Sequence, residues 1–266
     1  MQKIWVCGAR GQIGQAVNDV VDKLEFEMLD TDVDDLDVTD TDEVLRFGEM
    51  NRPDIIINCS GMTDISSCEE NPSQAFKVNA LGARNLAIVA AKMQAKMVQL
   101  STDDVFDGKS TEPYTEFDIT NPGTVYGKSK LAGENYVKEF TTKHFIVRST
   151  WVYGKGQNFI NGFLKKVDAG EQLSIASDQF GSPTSANELA RFLLHLVHTS
   201  EYGTYHATNK GVCSRYAFAQ EILKMTGKTY AVLDNFIMSM VPIYDFPDWQ
   251  DSLREYLEER GLYHAE

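Results

Sequence analysis

Ile4-Trp5-Val6-Cys7-Gly8-Ala9-Arg10-Gly11-Gln12-Ile13-Gly14 is the stretch from which the fold of this chain is read. A short apolar run, too short for a surface helix, passes directly into glycines spaced G-x-x-G-x-x-G, and a helical pattern follows. Each glycine has its own task. Gly8 permits a tight turn, Gly11 lets the backbone approach a pyrophosphate, and Gly14 brings the next helix close to the sheet. The free N–H groups at the start of that helix then face an anion. A strand, a turn and a helix in this order predict a dinucleotide-binding unit.

Working outward, Phe26 to Leu29, Ile55 to Asn58, Met97 to Ser101 and Phe145 to Arg148 read as further buried strands of a parallel sheet. Helical patterns fill the gaps at Ala75 to Lys92 and Tyr126 to Phe140, and right-handed crossovers stack them on the sheet. After Trp151 the pattern loosens. Gly154, Gly156, Gly162 and Gly170 interrupt helical pieces, a Gly181-Ser182-Pro183 turn precedes a helix near Asn187 to His198, and Asp248 to Arg260 reads as an amphipathic closing helix. The expected fold class is α/β: a Rossmann-like doubly wound parallel sheet with a smaller C-terminal substrate-binding lobe. Residues 1–150, with part of 178–205, would form the dinucleotide-binding domain, and 151–266 mainly the lobe.

Composition narrows the partners. Lys and Arg number 25 against 39 Asp and Glu, so the net charge of −14 repels phosphate backbones and anionic membranes. Neither nucleic acid nor a membrane is expected as a partner. Cys7, Cys59, Cys68 and Cys213 form no C-x-x-C pair and sit mostly in apolar runs, which reads as a reducing cytoplasm without structural zinc. No leader precedes Ile4, and no run approaches the ~20 apolar residues of a membrane span. His144, His195, His198, His206 and His264 lack ligand spacing, so no metal is expected. The acidic stretch Asp30 to Asp42 reads mostly as a solvated loop.

Asp30 is its exception. At the end of the second strand an acidic side chain can accept hydrogen bonds from the adenosine ribose, which favours NADH, while the planar fork of Arg10 can pair with a 2'-phosphate, which favours NADPH. The cofactor therefore stays open between NADPH and NADH. The second motif is Tyr126-Gly127-Lys128-Ser129-Lys130, which puts Tyr126 and Lys130 one helical turn apart on one face. An ammonium beside a phenol favours the phenolate, so Tyr126 is the expected proton donor and acceptor, Lys130 its partner and a ligand of the nicotinamide ribose. Thr102, at the end of the fourth strand, would hold the reacting carbonyl oxygen.

These residues resemble the extended short-chain dehydrogenase/reductase superfamily, and more narrowly the dTDP-4-dehydrorhamnose reductases. The resemblance runs through Gly11 to Gly14, Val78-Asn79-Ala80, Ser101-Thr102-Asp103, Val105 to Gly108, Tyr126 to Glu134, Trp151 to Gly154 and Asp178 to Thr184. It implies reduction of the C4 keto group of dTDP-4-dehydro-6-deoxy-L-mannose to dTDP-L-rhamnose, with Thr102, Tyr126 and Lys130 catalytic. Cofactor contacts would come from Gly8, Arg10, Gly11, Gln12, Ile13, Gly14, Asp30, Asp37, Val38, Cys59, Ser60, Gly61, Thr63 and Asn79, together with Tyr126 and Lys130. The nucleotide-sugar substrate would meet Thr102, Asp103, Asp104, Tyr126 and Trp151, the indole packing on the sugar's C–H face. The chain would act as a monomer or homodimer.

The pattern departs from the family in four places. Asp104 stands where the family usually has a tyrosine, and Asn58 to Thr63 lacks the usual aromatic. Some relatives bridge dimers through a metal held by a glutamate after the glycine loop; Gln15-Ala16 supplies none, although Glu188 stands at the partner position. About twenty residues, including an Arg-Pro pair, are missing near Gly227 to Tyr230. Two other classes share the superfamily pattern: nucleotide-sugar epimerases or dehydratases, for which Asp103-Asp104 could supply acid and base, and a non-catalytic regulatory subunit resembling the methionine adenosyltransferase beta subunit, which would not need Thr102, Tyr126 and Lys130.

Overall fold

Strand β1 (Gln2–Cys7) is an interior strand of the fold's main sheet, and its alternating side chains show the two faces. Ile4 and Val6 point to one side, Trp5 and Cys7 to the other, and all are fully buried. The computed structural model describes residues 1–169, 175–225 and 244–263. Among these, the chain continues through α1 (Gln12–Val20), β2 (Phe26–Thr31), α2 (Thr41–Asn51), β3 (Ile55–Asn58), α3 (Ile65–Glu70), α4 (Pro72–Phe76), α5 (Ala83–Met93), β4 (Lys96–Thr102), α6 (Val125–Phe140) and β5 (His144–Ser149). Then come β6 (Val152–Tyr153), α7 (Phe159–Asp168), β7 (Phe180–Gly181), β8 (Thr184–Ser185), α8 (Ala186–His198), β9 (Gly203–His206), β10 (Cys213–Ser214), α9 (Arg215–Lys224) and α10 (Trp249–Glu259).

The main sheet has six parallel strands in the order β2-β1-β3-β4-β5-β9. The five strands expected from the sequence all form. β9 was not anticipated, because Gly203-Thr204-Tyr205-His206 is neither an apolar run nor a long alternation. Helices cover both faces: Val17 of α1 and Leu189 and Leu193 of α8 pack with Ile4 and Val6, while Val44 of α2 and Leu86 and Ala90 of α5 pack with Trp5 and Cys7. The doubly wound order reverses between β1 and β3, and that is where a crevice opens at the strands' carboxyl ends.

The helix expected over Ala75 to Lys92 is broken. Its first part is α4, its last α5, and Lys77–Gly82 between them forms a π-helical turn. That turn frees Asn79, whose Nδ2 donates to the Met62 carbonyl oxygen and to Ser129 Oγ, both at 2.9 Å, while its Oδ1 accepts from Met62 N at 2.8 Å. One side chain thus ties the loop after β3 to α6. A third apolar cluster, with Tyr153, Phe163, Phe218, Trp249 and Leu253, joins β6, α7, α9 and α10. The short stretch near Gly227 to Tyr230 and the expected break at Gly170 lie outside the described residues. No helix among the described residues is long and apolar enough to cross a membrane.

A charged network is sealed between α6 and the sheet. Glu134 is fully buried and accepts from Arg148 Nε at 2.9 Å, Arg148 Nη2 at 2.7 Å and Ser101 Oγ at 2.6 Å. Burial works against its charge, but the Arg148 fork and Ser101 outweigh it and hold the carboxyl below its ordinary range. The Arg148 guanidinium also lies over the Phe106 ring, 5.2 Å from its centroid. Glu134→Leu would strand a buried guanidinium; we expect a loss of about 3–5 kcal/mol. Urea denaturation measures it, and adding Arg148→Met in the same chain should restore most of the loss. A loss below about 1 kcal/mol would mean that Arg148 is solvated well enough to stand alone.

Candidate functional site

The crevice between β1 and β3 widens into a cleft of about 1480 Å³, ample for a dinucleotide with a second nucleotide-sized ligand. Its floor begins at the glycine loop. Gly8 has φ of +76°, and a Cβ there would meet Ser60 N at 2.8 Å, so β1 and the loop after β3 approach backbone to backbone. A Cβ on Gly14 would overlap the Gly8 carbonyl oxygen, so α1 also starts in close contact with the turn. The first turn of α1 has no side-chain cap, which leaves its N–H groups for a ligand. A pyrophosphate fits this cradle: backbone donors, a positive helix end and no side chain in the way.

Arg10, Gly11, Gln12 and Ile13 line this end of the cleft, with Gln12 Oε1 buried and without a hydrogen-bond partner. Arg10 is ringed by carboxylates: Nη1 to Asp34 at 3.0 Å, Nη2 to Asp35 at 3.1 Å, Nε to Asp32 at 3.8 Å. Its backbone N–H donates to Asp32 Oδ2 at 2.8 Å. Part of the acidic stretch expected to be merely solvated is therefore folded onto Arg10. Asp30 lies one residue before the end of β2, exposed and outside the cleft lining, and Asp32 holds the loop instead. Asp37 and Val38 also stand outside the lining; Asp37 Oδ1 accepts from Thr39 N at 2.8 Å, and the Val38 side chain abuts Gly82. Asn79 lies beneath the floor rather than in it.

The middle of the cleft collects the residues with chemistry. Cys59, Ser60, Gly61 and Thr63 line one wall, Thr102, Asp103, Asp104, Tyr126 and Lys130 the other. Burial pushes the Cys59 thiol up to about 12, so it stays a small apolar group rather than a nucleophile. Lys130 Nζ donates to the Leu100 carbonyl oxygen at 2.6 Å and lies 3.8 Å from where a Cβ on Gly61 would be. Burial pulls the Lys130 ammonium down to about 8, opposed by the negative charge of Glu134. Burial likewise pushes the Tyr126 phenol well above its ordinary range; a Thr102 hydrogen bond works the other way, and the charges of Asp104 and Asp103 add to the rise. Burial and the neighbouring acids favour the phenol over the expected phenolate. The Lys130 ammonium is turned to a backbone carbonyl and does not offset the desolvation of Tyr126.

Thr102 Oγ1 donates to Asp103 Oδ1 at 3.0 Å and accepts from Asp104 N at 3.2 Å, so its proton is engaged by a neighbour. Asp103 Oδ2 accepts from Thr150 Oγ1 at 2.7 Å. Burial raises the carboxyls of both aspartates, Asp104 to about 6 with the charge of Asp103 contributing. Trp151 follows them at the far end with φ of +47°, a left-handed backbone costing on the order of 1–3 kcal/mol for a bulky residue. That turn swings the indole out of line with β5 and β6 and into the cleft lining. Arg215, at the start of α9, was not identified in the sequence. Nothing in Ser214-Arg215-Tyr216 marks a site; only the tertiary fold brings its guanidinium carbon to 4.2 Å from the Trp151 ring centroid.

Glu188, the carboxylate at the metal-partner position, is committed within the chain: Tyr244 Oη donates to it at 2.7 Å, and Arg191 pairs with its other oxygen.

The family described as RmlD substrate binding domain matches residues 1–243. The chain is 34% identical to the spore coat polysaccharide biosynthesis protein SpsK of Bacillus subtilis, over 98% of this chain and 99% of that one. It superposes on a crystal structure of a dTDP-4-dehydrorhamnose reductase from Clostridium acetobutylicum with a TM-score of 0.94 and 38% identity, covering 98% of this chain and 100% of the other. A dTDP-4-dehydrorhamnose reductase from Bacillus anthracis, solved in complex with NADP, gives a TM-score of 0.93 at 34% identity, covering 97% and 100%.

Two of the displaced proton groups of the cleft, Lys130 and Tyr126, predict a pH dependence. Lys130 carries its charge below about 8 and loses it above, while Tyr126 stays protonated throughout that window. We expect kcat/KM to hold between about 6, where Asp104 takes up its proton, and about 8, and to fall as the pH rises through about 8, with Lys130→Met slower and lacking that alkaline limb. A wild-type profile flat to pH values well above about 8 would detach Lys130 from the rate.

Proposed function

The chain belongs to the RmlD substrate binding domain family, and from that and the cleft we propose that it is an NADPH- or NADH-dependent dTDP-4-dehydrorhamnose reductase. The reaction is reduction of the C4 keto group of dTDP-4-dehydro-6-deoxy-L-mannose to dTDP-L-rhamnose. The observation that carries it is the arrival of Thr102, Tyr126 and Lys130 in the same cleft as an uncapped glycine-loop helix. A reduced nicotinamide bound there supplies hydride. Gly8, Gly11 and Gly14 admit the pyrophosphate, Arg10, Gln12 and Ile13 border it, and Cys59 to Thr63 form the wall on the nicotinamide side.

Tyr126 is the proton donor. As hydride reaches C4, the carbonyl oxygen gains negative charge and takes the phenolic proton, leaving a hydroxyl on the sugar and a phenolate on Tyr126. A phenol held protonated by burial suits this direction, because the acid must be intact before turnover. Lys130 would stabilise the phenolate and orient the nicotinamide ribose once its ammonium swings from the Leu100 carbonyl. Thr102 holds the reacting oxygen once its hydroxyl turns from Asp103, whose carboxyl is fixed from the other side by Thr150. Trp151 borders the deoxyhexose from the cleft lining, its ring lying under the Arg215 guanidinium. Asp30, Asp37 and Val38 retain at most a part at the adenosine end, and Asn79 supports the wall from behind. Residues 1–150 with α8 and β9 would form the cofactor-binding portion, and the apolar cluster of β6, α7, α9 and α10 the substrate lobe.

NADPH is the better-supported cofactor. Arg10 is the cation at the adenosine end, and the Bacillus anthracis relative was solved with NADP. The acidic loop around Arg10 would have to release it to a 2'-phosphate. We place the enzyme in the cytoplasm, where four free cysteines remain thiols, as a monomer or homodimer.

The test is stoichiometric loss of reduced cofactor when the 4-keto sugar nucleotide is added, with Tyr126→Phe expected to lower kcat by about 10²–10⁴. Cofactor that is bound but recycled rather than consumed would overturn the reductase in favour of an epimerase or dehydratase. Arg10→Ala should weaken NADPH binding by roughly 10- to 100-fold and leave NADH within about twofold. Equal losses for the two, read by fluorescence titration, would remove Arg10 from 2'-phosphate recognition.

A further inference from the structure

The cleft holds a cation that the chemistry above does not use. Arg215 lines it where the first residue of α9 meets Trp151, with its guanidinium carbon 4.2 Å from the Trp151 ring centroid and 5.4 Å from that of Phe159. Stacking on two rings fixes the plane of the fork. Its charge is felt by both Asp103 and Asp104, yet neither makes a salt bridge to it, and its Nε is buried without a hydrogen-bond partner. The guanidinium therefore stands within electrostatic reach of two carboxylates and is paired with neither. One of these, Asp104, stands where the resembled family usually has a tyrosine.

We propose that Arg215 and Asp104 together form a recognition site for the hydroxylated edge of the substrate's hexose, its 2- and 3-hydroxyls, and that Arg215 is a specificity-determining residue rather than a phosphate ligand. This rests on the nucleotide-sugar reading above and deepens it. A hydroxyl both donates and accepts, so it can span a gap between a guanidinium, which only donates, and a carboxylate, which only accepts when ionised. A diphosphate could satisfy Arg215 alone, but it would also bring its negative charge against Asp103 and Asp104 in a part of the cleft where burial already disfavours their charges. The aromatic neighbours point the same way. Trp151, which is stacked on Phe218 with ring centroids 6.1 Å apart, holds the fork over its ring at the edge of the cleft, beside the place a hexose would take.

Two ligands separate the alternatives: dTDP, which has the nucleotide and diphosphate without a sugar, and dTDP-L-rhamnose, which adds the ring. Calorimetric titration of the NADPH-bound protein should give, for Arg215→Met, dTDP affinity within about twofold of wild type and dTDP-L-rhamnose affinity lower by roughly tenfold or more. Arg215→Lys, which keeps the charge but loses the planar fork, should fall between, and unchanged NADPH affinity in both variants certifies an intact cleft. In turnover the loss should appear mainly in KM. Equal loss of dTDP and dTDP-L-rhamnose would make Arg215 a phosphate ligand, and no loss of either would make it a packing residue; both overturn the proposal. Wild-type turnover in the same preparations separates the two readings. If the wild type consumes NADPH with the 4-keto sugar and the variants bind dTDP-L-rhamnose as it does, only the role of Arg215 fails; if the wild type itself neither turns over nor binds dTDP-L-rhamnose more tightly than dTDP, the reductase reading fails first.

Discussion

A Cβ on Gly127 would overlap the Asp104 carbonyl oxygen, and one on Gly133 would overlap that of Asn79. Helix α6 is therefore pressed backbone to backbone against the turn after β4 at its start and against the π-helical turn further along. The rest of the cleft depends on this closeness. Only a helix lying that near can deliver Tyr126 to the wall formed by Thr102, and Lys130 through to the carbonyl of Leu100 on β4, without long side chains reaching across open solvent. Small residues at the contact supply the approach, and polar neighbours fix the register. Ser129 meets Asn79, Thr124 caps the helix through Gly127 N, and Glu134 reaches Ser101 and Arg148.

The same closeness explains the electrostatics. Sealing α6 against the sheet buries Tyr126, Lys130 and Glu134 together, and each responds according to its partners. Glu134 keeps its charge because the Arg148 fork and Ser101 satisfy it, and it then supports the Lys130 ammonium from four residues away on the same helix. Lys130 has only a backbone carbonyl for direct contact, so burial prevails and its ammonium is weakened. Tyr126 has carboxylates for neighbours and is held as a phenol. One packing decision thus produces a strong carboxylate, a weak ammonium and a reluctant acid within about two turns of helix.

The sheet was legible because its strands are apolar runs punctuated by glycine and acidic turns, and burial on both faces writes itself into residue type. β9 escaped because a four-residue edge strand carries almost no pattern, and the π-helical turn escaped because Lys77 to Gly82 has an ordinary helical composition. The grouping of Thr102, Tyr126 and Lys130 in one cleft was legible from spacing on one helix and one strand end. What spacing could not supply was direction. It put Lys130 one turn from Tyr126 but did not reveal that Nζ turns toward Leu100, and it put acids after β2 without revealing that Asp32, Asp34 and Asp35, rather than Asp30, close around Arg10. Arg215 lay beyond reach altogether, since its partners come from the turn after β4, the link between β5 and β6, and the start of α7, and meet it only after folding.

A chain of net charge −14 whose proposed ligands are two anionic nucleotides must attract them at short range, because its field at long range repels them. The cleft does so without a basic patch. At one end the attraction comes from uncapped N–H groups of α1 and from Arg10, whose charge is masked by three aspartates until a ligand competes for it. At the other, Arg215 is stacked on Trp151 and balanced by Asp103 and Asp104, so it presents no unmasked charge to a phosphate. Both cations are thus held among acids, and each answers only a group that can displace or bridge those acids in the right geometry. Screening over roughly 8–10 Å hides most of the remaining surface charge from a ligand already inside. Selectivity follows from that masking: a stray anion meets a neutralised arginine, whereas a ligand anchored elsewhere in the cleft arrives with the position needed to open it.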